Sequence, residues 1–210
     1  DRVRLLQQNC TLGRMGAAAG IVPSDYNGDA MELKGKRIAI LVDNLYQEME
    51  VWYPYFRFQE AGAEVITVGA EAGKTYTSKL GYPVKADRAY DQVNAREFDG
   101  IVAPGGYAPD HIRRHPKAIQ LVHDINKDGK LVAAICHGPW ILCSVRGLLK
   151  GRRATSFFAI KDDVINAGAK WEDAEVVVDG NLVTSRKPED LPAFCQAAIH
   201  VLVEAPVAVG

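Results

Sequence analysis

Apolar residues along this chain gather in unbroken runs of strand length, separated by stretches where they recur every three or four positions. Arg37-Ile-Ala-Ile-Leu-Val42 is apolar after its first residue and stops at Asp43-Asn44. Such continuity, in place of alternation, marks a parallel strand covered on both faces. Met49 to Ala61 carries helical spacing and stops at Gly62, with Pro54 placed early, where a missing N–H costs least. Glu64 to Val68 predicts a second strand, and Thr75 to Val84, polar and glycine-bearing, a small β excursion. Phe98 to Ala103 is a further buried strand, closed by Pro104-Gly105-Gly106. A helix over Pro116 to Lys127 leads to Leu131 to Ile135, the most apolar strand, and Pro139 to Val145 opens the next helix. A short strand at Arg153 to Thr155 and a helix at Lys161 to Ala167 follow. Glu175 to Val178 and Leu182 to Thr184 read as a hairpin about Asp179-Gly180-Asn181, and Leu191 to Val203 as a closing helix. This alternation predicts one α/β domain over residues 35–205, a mostly parallel sheet with helices on both faces, followed by a tail at 206–210. Residues 1–34, with a small-residue stretch at Gly16 to Gly20 and a turn-rich Pro23 to Asp29, read as an N-terminal extension.

Composition narrows the function classes. The 210 residues are 48% hydrophobic and 24% charged, an ordinary globular balance. Twenty-five Lys and Arg against 26 Asp and Glu leave a net charge of −1, which argues against nucleic acid as a partner. No apolar run approaches the roughly 20 residues of a membrane span. The first 34 residues lack the apolar core of a secretory signal. Cys10, Cys136, Cys143 and Cys195 form no C-x-x-C pair, so neither a zinc ribbon nor a disulfide framework is expected, and reduced thiols suit a cytoplasmic protein. No metal is expected: His111 and His115 are four apart but lack a surrounding zinc motif, and read as an exposed loop.

In parallel α/β sheets, chemistry sits at the carboxyl ends of strands. Three such ends matter here. After Ile135 come Cys136-His137-Gly138-Pro139 and a helix, so the cysteine occupies a strand-to-helix turn at a helix N-terminus, where the dipole should lower its pKa. Gly138 suits a tight turn and Pro139 a first helical turn. This is the logic of a nucleophile elbow carrying sulfur, and a buried structural cysteine is the competing reading. After Ala103, Gly105 and Gly106 leave backbone N–H groups accessible to an oxyanion, or make an ordinary turn. After Val42 come Asp43, Glu48 and Glu50; Glu50 either shares a proton with the sulfur or is a first-turn acid favoured by the helix dipole.

Gln47-Glu-Met-Glu50-Val-Trp-Tyr-Pro-Tyr, Ala103-Pro-Gly-Gly106, Ala134-Ile-Cys-His-Gly-Pro139, Thr155-Ser156 with Ile160-Lys-Asp-Asp163, Ile165-Asn-Ala-Gly168 and Ala174-Glu-Val-Val-Val-Asp-Gly180 together resemble the PfpI family of intracellular proteases, in the superfamily of the Parkinson's-linked protein deglycase. The likeness spans about residues 36–204. It implies a flavodoxin-like sandwich, a nucleophilic Cys136, a protonated Glu50 hydrogen-bonded to the thiolate, and an oxyanion pocket built from Gly106 and the elbow. In the family's peptidase description His137 is the base, oriented by an acid from a neighbouring subunit. Asp110 holds that position here, one methylene shorter than the Glu of the archaeal proteases. Phe157 stands where those proteases place a tyrosine, and cannot donate a hydrogen bond.

Three functions follow from these residues. In the first, a cofactor-free enzyme uses Cys136 to attack a reactive carbonyl such as methylglyoxal, yielding lactate, with Glu50 or His137 moving the proton. In the second, a peptidase uses Cys136, His137 and Asp110; it ranks lower, because His137 is not expected to turn its ring onto Cys136 from the same tight elbow. The third is a redox-sensing stress protein or chaperone with an oxidised Cys136 held by Glu50. A class I glutamine amidotransferase is set aside, since His200 is followed by Val201-Leu202 and no His-x-Glu relay closes the chain. The resemblance also implies a homo-oligomer, dimer or higher, in which residues 1–34 are expected as an oligomerisation arm, and a small reactive carbonyl or a peptide as the substrate.

Overall fold

A computed structural model describes residues 31–204. Seven strands form the central sheet: β1 (Arg37–Leu41), β2 (Glu64–Gly69), β5 (Arg88–Ala89), β6 (Gly100–Ala103), β7 (Leu131–Ile135), β10 (Val176–Asp179) and β11 (Leu182–Ser185). Their order is β10-β11-β7-β6-β1-β2-β5. All neighbours are parallel except the β10–β11 hairpin. β7 is buried along its whole length and β1 along all but its first residue. That double-sided burial is why both runs are apolar without alternation. The predicted mostly parallel, flavodoxin-like sandwich is the observed fold.

Two small ribbons flank the sheet: the antiparallel pair β3 (Thr75–Thr77) and β4 (Pro83–Lys85), and the parallel pair β8 (Arg153–Ala154) and β9 (Lys170–Trp171). The first is the β excursion expected from sequence. The two-residue strands β5 and β9 carry no periodicity and escape a sequence reading. Helices α1 (Glu48–Glu60) and α6 (Leu191–Glu204) pack together over the sheet. Helices α2 (Ala108–Ile112), α3 (Pro116–Lys127), α4 (Pro139–Cys143) and α5 (Lys161–Asn166) make a second linked layer.

Two local expectations need correction. Pro54 is the seventh residue of α1, past the first turn, so its ring leaves the Glu50 carbonyl without the usual i+4 donor. The helix continues through it because the Gln47 side chain caps its start and Val51, Pro54 and Phe58 bury one stripe. The packed domain also begins before residue 35. Leu33 is fully buried and its N–H donates to Ala61 O at 2.8 Å. The rest of the expected arm, residues 1–30, and the tail from 206 lie outside the described residues.

Candidate active site

The ends of β1, β6 and β7 meet at the carboxyl edge of the sheet, and the topology reverses direction between β1 and β6. This crevice is where such sheets bind ligands. From β7 comes Cys136, with φ of +61°, a left-handed backbone that a non-glycine residue adopts only when its surroundings hold it there. It is held by its own N–H donating to Ser185 O (3.0 Å) and by Phe157 N–H donating to its carbonyl (2.9 Å). The turn folds the side chain back towards the next residue, and Sγ lies 3.3 Å from His137 Nδ1. The expectation that His137 cannot face Cys136 is therefore wrong. The positive φ, invisible in the sequence, supplies the missing geometry.

Gly138 has an ordinary helical φ of −49°. Its need for glycine is spatial: an added Cβ would sit 2.1 Å from Ala103 O. Its N–H donates to Ile135 O, so Gly138 supplies no oxyanion donor. Gly105 is likewise committed, donating its N–H to Glu50 Oε2 at 2.6 Å. A Cβ on Gly105 would collide with Glu50 Oε2, His137 N and Cys136 Cβ, so the glycine is what lets these three groups converge. Gly106, at φ +72°, packs against the backbone of Leu45 to Gln47. The two backbone N–H groups directed at the sulfur are those of Gly106 and His137.

Glu50 is fully buried in the first turn of α1. Burial pushes its carboxyl up to about 8, against the downward pull of the Gly105 N–H and the Cys136 thiol. Its Oε1 has no hydrogen-bond partner among the described residues, and the Cys136 thiol stands beside the carboxyl. The thiol itself is pushed up, chiefly by burial and then by any negative charge on Glu50, while the two N–H donors pull it down. This overturns the expected depression by the helix end. Cys136 is only 8% exposed, and α4 is five residues long, so desolvation outweighs the dipole. Proton loss from this site is consequently a property of the pair.

His137 is half-buried, which lowers its pKa, and the charge of Lys79 lowers it further. Its ring stacks on Phe157 (centroids 5.0 Å apart, 27° between planes) and meets Trp140 edge-on at 5.2 Å. Phe157 thus holds the imidazole where a tyrosine would offer a hydroxyl. Trp140 is absent from the sequence candidates, although its i+3 spacing from His137 at the head of a helix is a readable signal. Lys79, at the tip of the β3–β4 ribbon, also escapes detection; its charge acts on both Glu50 and His137, across a sequence gap with no motif.

Asp110 is not brought to the site within this chain. It pairs with Arg114 one turn along. His111 and His115 are not a bare loop: His111 belongs to α2 and His115 precedes α3, and they lie 3.7 and 3.9 Å from the carboxylate of buried Asp43. Among the described residues no group of three or more His, Cys, Asp or Glu is placed to hold a metal ion. No helix there is long and apolar enough to cross a membrane.

The model of the DJ-1/PfpI family matches residues 36–201, which include every element that builds this crevice. The chain belongs to the DJ-1/PfpI family. Among DJ-1/PfpI relatives, "Deglycase PH1704" of Pyrococcus horikoshii is 48% identical over 166 residues, covering 79% of this chain and 99% of its own. "Protein/nucleic acid deglycase 2" of Escherichia coli is 43% identical over 169 residues, covering 80% of this chain and 98% of its own. The crystal structure of Drosophila melanogaster DJ-1beta superposes with a TM-score of 0.75 at 27% identity, over 80% of this chain and 90% of that one.

Proposed function

We propose that this DJ-1/PfpI protein is a cofactor-free, cysteine-dependent enzyme of the deglycase and glyoxalase type, acting on reactive carbonyls such as methylglyoxal. The observation that carries the reading is the convergence of Cys136 and the buried Glu50 carboxyl over Gly105, where burial raises the carboxyl pKa to about 8. A carboxyl that is protonated near neutral pH can hand a proton to oxygen or carbon and take it back, as a general acid and base must.

In this mechanism Cys136 sulfur forms a bond to the aldehyde carbon, and the carbonyl π electrons move to oxygen. The pair reacts as the Cys136 thiolate beside protonated Glu50; the Gly106 and His137 N–H groups stabilise that oxygen, and Glu50 gives it its proton. The Glu50 carboxylate so formed takes the proton from the former aldehyde carbon and returns it to the adjacent carbon, while the hydroxyl proton passes to the oxygen on that adjacent carbon. The resulting lactoyl thioester is hydrolysed by water, releasing lactate and restoring the thiol. The sum is methylglyoxal plus water giving lactic acid, so no external oxidant or reductant enters. Reversal of early glycation adducts uses the same attack on the same carbon.

A second reading is a PfpI-type peptidase. The 3.3 Å approach of His137 Nδ1 to Sγ favours it, because amide cleavage needs a base that can pass a proton to the leaving nitrogen. Its weak point is Asp110, whose carboxylate is occupied by Arg114 within the chain. The deciding experiment offers purified protein methylglyoxal without glutathione, and separately casein. Lactate that disappears in Cys136→Ala supports the carbonyl reading, whereas casein cleavage without lactate supports the peptidase.

A further inference from the structure

His137 faces the Cys136 sulfur, and the 3.3 Å approach of its Nδ1 is the ring's one side-chain hydrogen-bonding contact among the described residues. A half-buried imidazole with a single such contact turns about its Cβ–Cγ bond unless its neighbours prevent it. The neighbours here are two aromatic rings. Phe157 lies against His137 at 27° with centroids 5.0 Å apart, and Trp140 meets it at 71° and 5.2 Å. One wall is nearly parallel to the imidazole and the other steeply inclined, so a turn of the ring must displace one of them.

Both walls are fixed from the same short segment. Phe157 donates its N–H to the Cys136 carbonyl at 2.9 Å and is backed by the Phe158 ring at 4.6 Å. Trp140 is tied at two points: its backbone N–H donates to His137 O at 3.0 Å, and its indole Nε1–H donates to Asp163 Oδ2 at 2.8 Å. The segment is itself anchored, because Trp171 Nε1–H donates to Ser156 Oγ at 3.0 Å and the Lys161 ammonium lies 4.7 Å over the Trp171 ring. Asp162 and Asp163 share the first turn of α5, where the helix dipole favours any acid. The dipole does not explain why one of the two is aimed at the indole. That bond belongs to Asp163, and a carboxylate acceptor makes it one of the stronger kind.

We infer that Asp163 is a positioning residue: through the Trp140 indole it holds the His137 ring on the Cys136 sulfur. The family resemblance gives that task to an acid at the position of Asp110 in a neighbouring subunit, and Asp110 pairs with Arg114 within this chain. Asp163 acts instead at one remove, through an aromatic ring, from inside the chain that carries His137. The inference rests on the reading of Cys136 and its surroundings as the reacting site, and adds to it the group that sets the imidazole geometry.

Carbethoxylation of His137 by diethyl pyrocarbonate in the full-length protein tests this. It reads the ring without turnover, so its failure is distinct from a failure of the proposed activity. Trypsin releases the modified residue on Leu131–Arg146, where His137 is the only histidine. Asp163→Ala should raise the modification rate about fivefold, the scale of one lost charge-assisted hydrogen bond, and Trp140→Phe should do the same. Asp163→Asn keeps an acceptor oxygen for the indole and should stay within about twofold of the parent. Asp162→Ala, which removes the same first-turn charge, should also stay within about twofold. Coupling supplies a second readout: Asp163→Ala should change the iodoacetamide rate of Cys136 about threefold with His137 present and leave it unchanged in a His137→Ala background. Equal carbethoxylation of parent and Asp163→Ala, an equal rise in Asp162→Ala, or an effect on Cys136 that survives removal of His137 overturns the inference.

Discussion

Two buried acids leave the end of β1 within seven residues of each other, and they face different company. Asp43 is 6% exposed, accepts the Asn44 N–H at 2.7 Å, and is flanked by the rings of His111 and His115. Glu50 is fully buried, receives one N–H at Oε2, keeps Oε1 without a hydrogen-bond partner among the described residues, and has the Cys136 thiol beside its carboxyl. Burial is therefore not what distinguishes a proton-transfer group from a structural one. Asp43 takes the N–H of its chain neighbour and has two imidazoles within 4 Å, whereas Glu50 has one oxygen left over and a nucleophile beside it. The comparison assigns chemistry to Glu50 and architecture to Asp43, and substitutions at the two sites can break it.

Removing the sulfur has the largest expected effect. Cys136→Ala should lower kcat/KM on methylglyoxal by about a thousandfold or more, since the covalent route disappears. Glu50→Gln keeps the shape and removes the proton, and about a hundredfold loss in kcat is expected. Its effect on stability carries a definite sign. The folded-state value of Glu50, about 8, lies above its ordinary 4.5. The stabilisation from burying the neutral acid is complete below about pH 4.5 and is lost as pH rises through about 8. Thermal melts should show Glu50→Gln gaining on the parent by a few kcal/mol, on the order of the cost of ionising a buried carboxyl, between about pH 5 and about pH 8.5.

His137→Ala separates the two enzymatic readings. If the carbonyl account holds, lactate formation falls no more than about tenfold, because Glu50 still moves the proton. Loss of lactate formation comparable to that of Cys136→Ala would transfer that role to the imidazole. The smallest catalytic effect belongs to Asp43→Asn. Activity should stay within about twofold while the melting temperature drops by several degrees, reflecting about 1–2 kcal/mol of lost charge-assisted bonding. A hundredfold activity loss at Asp43 would erase the distinction between the two acids.

Much of this arrangement is legible in the sequence. The runs Arg37–Val42 and Leu131–Ile135 announce buried parallel strands because nothing polar interrupts them. The Cys136-His137-Gly138-Pro139 turn announces an elbow because glycine and proline have few other reasons to follow a strand-end cysteine. What stayed hidden depends on distance in space. The positive φ of Cys136 is imposed by Ser185 and Phe157, so the His137 approach could not be anticipated from neighbouring residues. Gly105 looks like half of a turn, and its role in admitting Glu50 appears only where β6 lies beside α1. The thiol departs from its sequence expectation because a helix N-terminus is visible in sequence and the depth of burial is not.

The shared proton between Glu50 and Cys136 is most directly tested by the pH dependence of Cys136 alkylation by iodoacetamide, read on the Cys136 peptide by mass spectrometry. For the parent protein the rate should climb about tenfold per pH unit and level off above about pH 8, where the pair has lost one proton. In Glu50→Gln that inflection should vanish and the rate keep rising into the alkaline range. Superimposable profiles for parent and variant would contradict the account.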